Sequence, residues 1–183
     1  MTRFALALAC ALLASVAARG GDVAEPEDYR TQDYRAPTPA TLKGARVVTT
    51  GEAEALWRGG GAIFIDVMPR PPRPENLPAG TIWRDPQRAN IPRSIWLPDT
   101  GYGALAAATE AYLRDNLARA TAGGHGKLLV FYCLKDCWMS WNAAKRAMGM
   151  GYTNVAWYPD GTDGWTAADL PLKPATPAGR RGE

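Results

Sequence analysis

Leu128-Leu129-Val130-Phe131-Tyr132-Cys133-Leu134-Lys135-Asp136-Cys137-Trp138 decides the fold of this chain. Residues 128–132 form an unbroken apolar run of strand length, following the helix-ending pair Gly123-Gly124. A strand without polar alternation is covered on both faces, as in the middle of a parallel sheet. At Cys133 the pattern turns polar for a few residues. A helix is then predicted over residues 138–148, closed by Gly149 and Gly151. Strand, short loop and helix in that order place Cys133 beyond the C-terminal end of a strand, where ligands bind in open α/β sheets.

Working outward, Ala62-Ile63-Phe64-Ile65-Asp66-Val67 is a second buried run that stops at Pro69. Shorter strands are predicted at residues 46–50, 94–97 and 154–158, with helices at 52–57 and 104–120 and a closing segment from Gly161 to Trp165. Strands alternating with helices define the class as α/β, with a mainly parallel central sheet of about five strands and helices on both faces. No internal repeat is present.

The 183 residues suit one domain with extensions, and 46% apolar against 21% charged residues provides for a folded core. A formal charge of +3 gives no ground for nucleic acid as a partner. Residues 1–18 carry one early cation, Arg3, an apolar stretch over 4–18, and small residues at Ser15, Ala17 and Ala18. This is the pattern of a secretory signal peptide, so the expectation is a periplasmic protein with no membrane span after cleavage. Residues 19–44 read as an extended N-terminal arm with two Tyr-Arg pairs, Tyr29-Arg30 and Tyr34-Arg35. They are a packing latch or a partner contact. The folded domain is expected over 45–172. Within it, residues 69–92 hold seven prolines and four arginines, an insertion unable to join a sheet centre. It reads as an ordered flap or a partner-binding surface. The tail, residues 173–183, is expected to be disordered.

The loop after residue 132 has a chemistry of its own. A turn from a strand end into a helix N-terminus directs backbone N–H groups and the positive end of the helix dipole at one point. A thiolate or persulfide at Cys133 would gain from both, and from Lys135, while Asp136 would oppose them. A structural disulfide between Cys133 and Cys137 is the competing reading, although closing so short a loop adds little by chain entropy. Other chemistries lack residues. His125, the one histidine, precedes the strand that Cys133 follows, and such a strand spans roughly 17 Å. Cysteine-dependent phosphate chemistry wants an arginine closing the loop, but the sixth residue after Cys133 is Met139 and the first arginine is Arg146. Two thiolates suit copper(I), yet no third ligand stands near in sequence. No metal and no cofactor is expected.

Phe64-Ile65-Asp66-Val67, residues 90–98, residues 128–133, Ala143-Ala144, residues 151–155 and residues 161–165 together resemble a rhodanese domain, in the family's order and over about 45–172. The resemblance implies a compact α/β domain in which Cys133 carries a persulfide amid the amides of residues 134–138. Phe131-Tyr132-Cys133, residues 136–146, residues 157–165 and Tyr34-Arg35-Ala36-Pro37 are similar to the Cys-Cys-Trp motif proteins associated with PQQ-dependent alcohol catabolism. That narrower resemblance implies a periplasmic accessory role beside a PQQ-dependent dehydrogenase or its cytochrome. The chain departs from ordinary rhodaneses where Asp136 and Trp138 stand near the usual glycine and arginine, and where Cys137 places a second thiol in the loop. The implied site has Cys133 and Cys137 as reactive residues and Leu134, Lys135, Asp136 and Trp138 around a small sulfur donor. Asp66 and Ser140 support it, Asp66 either by orienting the loop or by capping the turn after its own strand. Three functions follow as expectations: sulfur transfer through a Cys133 persulfide, thiol–disulfide exchange by the Cys133/Cys137 pair, and a non-enzymatic binding or maturation role.

Overall fold

The computed structural model describes residues 23–84 and 86–179. The expected leader, residues 1–18, lies outside them. Five parallel strands form the central sheet in the order β1-β6-β5-β2-β4: β1 (Arg46–Val47), β2 (Ala62–Asp66), β4 (Ile95–Trp96), β5 (Leu128–Tyr132) and β6 (Val155–Tyr158). Four helices, α1 (Thr50–Gly59), α2 (Ala107–Thr121), α3 (Trp138–Gly149) and α4 (Gly161–Ala167), complete the α/β domain.

β5 is central, paired with β2 from Ala62↔Leu128 to Asp66↔Tyr132 and with β6 from Leu129↔Val155 to Tyr132↔Tyr158. Side chains alternate along a strand. Leu129, Phe131 and Cys133 therefore enter the core that holds Leu113 and Leu117 of α2 and Trp141 and Ala144 of α3. Val130 and Tyr132 enter the opposite core, with Ala53 of α1 and Trp165 of α4. The apolar run is explained by two cores meeting at one strand.

Some expected boundaries move for local reasons. β1 ends at Val47 because Thr49 leaves the strand to cap α1: the Glu52 carboxylate accepts from Thr49 N–H at 2.8 Å while the Thr49 hydroxyl accepts from Glu52 N–H. The tail is a clear correction. Residues 173–175 are not disordered but form β7 (Lys173–Ala175), antiparallel to β3 (Arg88–Asn90) at the end of the proline-rich insertion. Ala178 N–H then bonds Trp96 O at 2.9 Å, and Tyr112 donates to Ala178 O at 2.8 Å. A two-stranded edge ribbon accommodates Pro174, which a sheet centre would not. The rest of the insertion has neither helix nor strand among its described residues.

The arm is extended and fastened to α3. Asn142 accepts from Arg30 N–H at 2.9 Å and donates to Arg30 O at 2.8 Å, and Trp141 Nε1 donates to Thr41 O. The Arg146 guanidinium lies 4.2 Å from the centre of the Tyr29 ring. Both Tyr-Arg pairs thus act as a latch on this domain. No helix among the described residues is long and apolar enough to cross a membrane.

Gly161 has φ +52° and abuts the Cys133 and Leu134 backbone, so an added methyl group would overlap the Cys133 carbonyl. Gly161→Ala is expected to lower unfolding free energy by about 2 kcal/mol or more, from left-handed strain and displacement of the loop. Urea denaturation of the two proteins measures it.

Candidate active site at the loop after β5

Cys133 closes β5 with no exposed surface, and Cys137 is the N-cap of α3 with 2%. Between them, Leu134 bridges to Gly161 and Asp136 adopts φ +53°, a left-handed position that aspartate tolerates better than most residues. The chain thereby turns back within a few residues and holds both cysteines, each a free thiol, in one buried loop.

The pair is asymmetric. Donation from the Cys133 thiol lowers Cys137 most, and despite the cost of burial the Met139 and Leu134 amides and the Arg35 charge help bring it down to about 6. Burial drives Cys133 well above the ordinary thiol range, and the neighbouring Cys137 and Asp66 charges push the same way. The negative charge belongs on Cys137, at the helix N-terminus, and Cys133 keeps the proton. This corrects the expectation that the amide ring centres on Cys133. Lys135 N–H is directed to the Asp163 carboxylate at 3.1 Å, and Trp138 N–H to Tyr34 O at 2.9 Å, so neither serves a sulfur.

The remaining predicted residues separate in space. Lys135 and Asp136 have exposed side chains, and Leu134 is half-buried. Trp138 is buried against Trp141, edge to face at 5.5 Å, and donates to Pro37 O. It anchors the arm and lines a cavity formed with arm residues Tyr29 and Arg30. Ser140 lies behind the loop: its hydroxyl donates to Cys137 O at 3.1 Å and accepts from Trp157 Nε1 at 3.0 Å. Asp66, fully buried, takes the turn-capping option, accepting from Met68 N–H at 2.9 Å and from Arg88 Nε at 2.8 Å. Its burial outweighs the Arg88 charge and raises its carboxyl to about 6. That cap sets Met68 over Cys133, Sδ to Sγ 3.6 Å.

Met68, Arg35, Arg88 and Thr162 belong to the site but were missed from sequence. Thr162 N–H holds Cys133 O at 3.0 Å. All four reach the loop from distant positions, and only the proximity of Met68 to the end of β2 offered any signal. No group of three or more His, Cys, Asp or Glu among the described residues is arranged to hold a metal ion.

The rhodanese-like domain family model matches residues 49–168, most of the folded region just described. The chain belongs to the rhodanese-like domain family. No curated protein matches it. Among solved structures it is similar to a thiosulfate sulfurtransferase from Pseudomonas aeruginosa, at 21% identity and TM-score 0.49 over 73% of this chain. The chain spans only 21% of that protein. It is also similar to a polysulfide-sulfur transferase from Wolinella succinogenes, at 14% identity and TM-score 0.43, covering 71% of this chain and 79% of that one. An anaerobic ergothioneine biosynthesis enzyme from Chlorobium limicola matches at 20% identity and TM-score 0.47, over 72% of this chain and 32% of the other.

Two titrations test these electrostatics. Alkylation of Cys137 by iodoacetamide, followed by peptide mass, is expected to rise with a midpoint near 6 while Cys133 stays protected through neutral pH. For Asp66, whose folded carboxyl at about 6 lies above the ordinary aspartate value of about 4, the folded state binds the extra proton between those limits. Stability from this group is therefore present at low pH and lost as pH rises through about 6. Relative to wild type, Asp66→Asn should gain about 3 kcal/mol between acid and neutral pH, the two-unit shift converted. Urea melts of both proteins across that range measure the difference.

Proposed function

We propose that this protein transfers sulfur at the Cys133/Cys137 dithiol. The observation that carries the reading is the placement of the two free thiols: Cys137 as the N-cap of α3, where the helix favours negative charge, and Cys133 fully buried at the end of β5, where burial favours the proton. Membership of the rhodanese-like family supports it. With thiosulfate as the model donor, the Cys137 thiolate attacks the outer sulfur. The S–S bond of the donor breaks, sulfite leaves with the bonding pair, and Cys137 holds a persulfide. Cys133 then attacks the inner sulfur of that persulfide, forming a Cys133–Cys137 disulfide. Hydrosulfide departs carrying the Cys133 proton. The dithiol has lost two electrons to the transferred sulfur, and a thiol reductant returns them.

This order differs from the persulfide on Cys133 that the family resemblance implies, and intact mass separates the two. On treatment with thiosulfate, Cys133→Ser is expected to gain and retain one sulfur atom. Cys137→Ser gains none, and the wild type ends as the disulfide with hydrosulfide released. Sulfur on Cys137→Ser alone would return the first attack to Cys133. Sulfur on neither variant would end this reading.

Thiol–disulfide exchange is the second reading, favoured by one specific observation: the low thiol stands at a helix N-terminus with its partner in the same loop. It requires a mixed disulfide with a protein partner, trapped when Cys133, the resolving thiol, is changed to serine. For the cellular setting, we propose the periplasm and an accessory role beside a PQQ-dependent alcohol dehydrogenase or its cytochrome. Support for these comes from the leader-like residues 1–18 and from the resemblance to the Cys-Cys-Trp motif proteins.

A further inference from the structure

The loop carrying the two sulfurs has a poor supply of positive charge. Between Cys133 and Trp138 the one cation is Lys135, whose exposed side chain is followed directly by Asp136. Other charges near the pair are unfavourable or already engaged. Asp66 lies on the Cys133 side and is paired with Arg88 at 2.8 Å. Asp163 of α4 takes the Lys135 amide, and the Tyr102 phenol feels the Cys137 charge from the loop before α2.

Into this setting the N-terminal arm brings Arg35. Arg35 and Cys137 form an isolated antiparallel bridge. Residues directly opposed in such a pair project to the same side, with Cβ atoms about 5 Å apart. The flanking contacts fix the register: Tyr34 O accepts from Trp138 N–H at 2.9 Å, and Tyr34 OH accepts from Gly103 N–H at 3.0 Å. The guanidinium is then held by Nη1 donating to Lys135 O at 2.9 Å, inside the loop and two residues from Cys137. A cation contributed by a segment a hundred residues away is thus fastened to the same few atoms that position the sulfur.

We propose that Arg35 is a positioning residue of this dithiol: delivered by the N-terminal arm opposite Cys137 and fastened to Lys135 O, it supplies the positive charge that favours first attack by Cys137. The arm is then a working part of the reaction centre as well as a latch. The assignment rests on the proposed reading of Cys137 as the first nucleophile.

The test uses the full chain with Arg35→Gln, Arg35→Lys and Thr41→Val. Its readouts are the pH midpoint of Cys137 alkylation and the thermal melt. Removing an opposite charge at this range should raise the midpoint by roughly one unit in Arg35→Gln. Below the midpoint that is about a tenfold slower alkylation. Arg35→Lys keeps the charge and should stay near wild type. Thr41→Val removes an arm contact to the Glu25 carboxylate, away from Arg35 and without changing charge, and should leave the midpoint unmoved. If Arg35→Gln melts early, Arg35→Met repeats the measurement with the aliphatic stem kept. A wild-type midpoint near 6 that stays put in Arg35→Gln, or moves equally in Thr41→Val, overturns the role of Arg35. A wild type that shows no low midpoint overturns the reading of Cys137 itself, so the two failures are distinguishable.

Discussion

Burial of β5 on both faces is the constraint from which the rest follows. A strand between two cores must place alternate side chains in each, and its length then determines where the last one points. Cys133 comes one residue after the strand and continues the alternation of Leu129 and Phe131 toward α3. The sulfur is therefore part of the core before it is part of a site. Such a position removes water from the thiol and favours its protonated form, while the second sulfur, also buried, gains from its place at the start of α3. The asymmetry of the dithiol is a consequence of where the sheet ends.

The surroundings of the site are assembled from segments without regular secondary structure. The arm meets α3 through the Asn142 amide, the Trp138 and Trp141 indoles and the Arg146 guanidinium. The arm covers the buried, aromatic-rich outer face of α3. On the other flank, Arg88 in the short β3 pairs with the buried Asp66, and β7 holds β3 in place. Removing one partner from a buried ion pair costs about 3–5 kcal/mol, because the other charge is left without compensation. The C-terminal ribbon, through β3, thus maintains the turn that sets Met68 against Cys133.

A two-thiol site of this form separates two tasks that a one-cysteine loop must combine. The helix N-terminus and the Met139 amide favour negative charge at Cys137, while the hydrophobic end of β5 keeps a proton in store on Cys133. In the proposed reaction, proton and nucleophile are both supplied by the one loop. Such preorganisation suits reactions in which a thiolate opens a sulfur–sulfur bond and the leaving sulfur needs a proton.

The sequence by itself determined the α/β class, the central position of residues 128–132 and the placement of Cys133 at a strand end, because these rest on local periodicity and on turn residues. It also located Cys137 at a helix start and picked out Asp66 and Ser140, which lie on elements with strong local patterns. Tertiary structure alone decided what surrounds each sulfur, since Met68, Arg35, Asp66 and the direction of single amides are brought together from distant positions. The Lys135 and Trp138 amides were committed elsewhere by Asp163 and Tyr34. The order of the tail was likewise invisible in composition: proline and glycine weaken any strand in isolation, and only an edge partner in β3 makes Lys173–Ala175 one. Short-range rules act within a few residues, whereas charge and pairing are set by neighbours that the folded chain alone supplies.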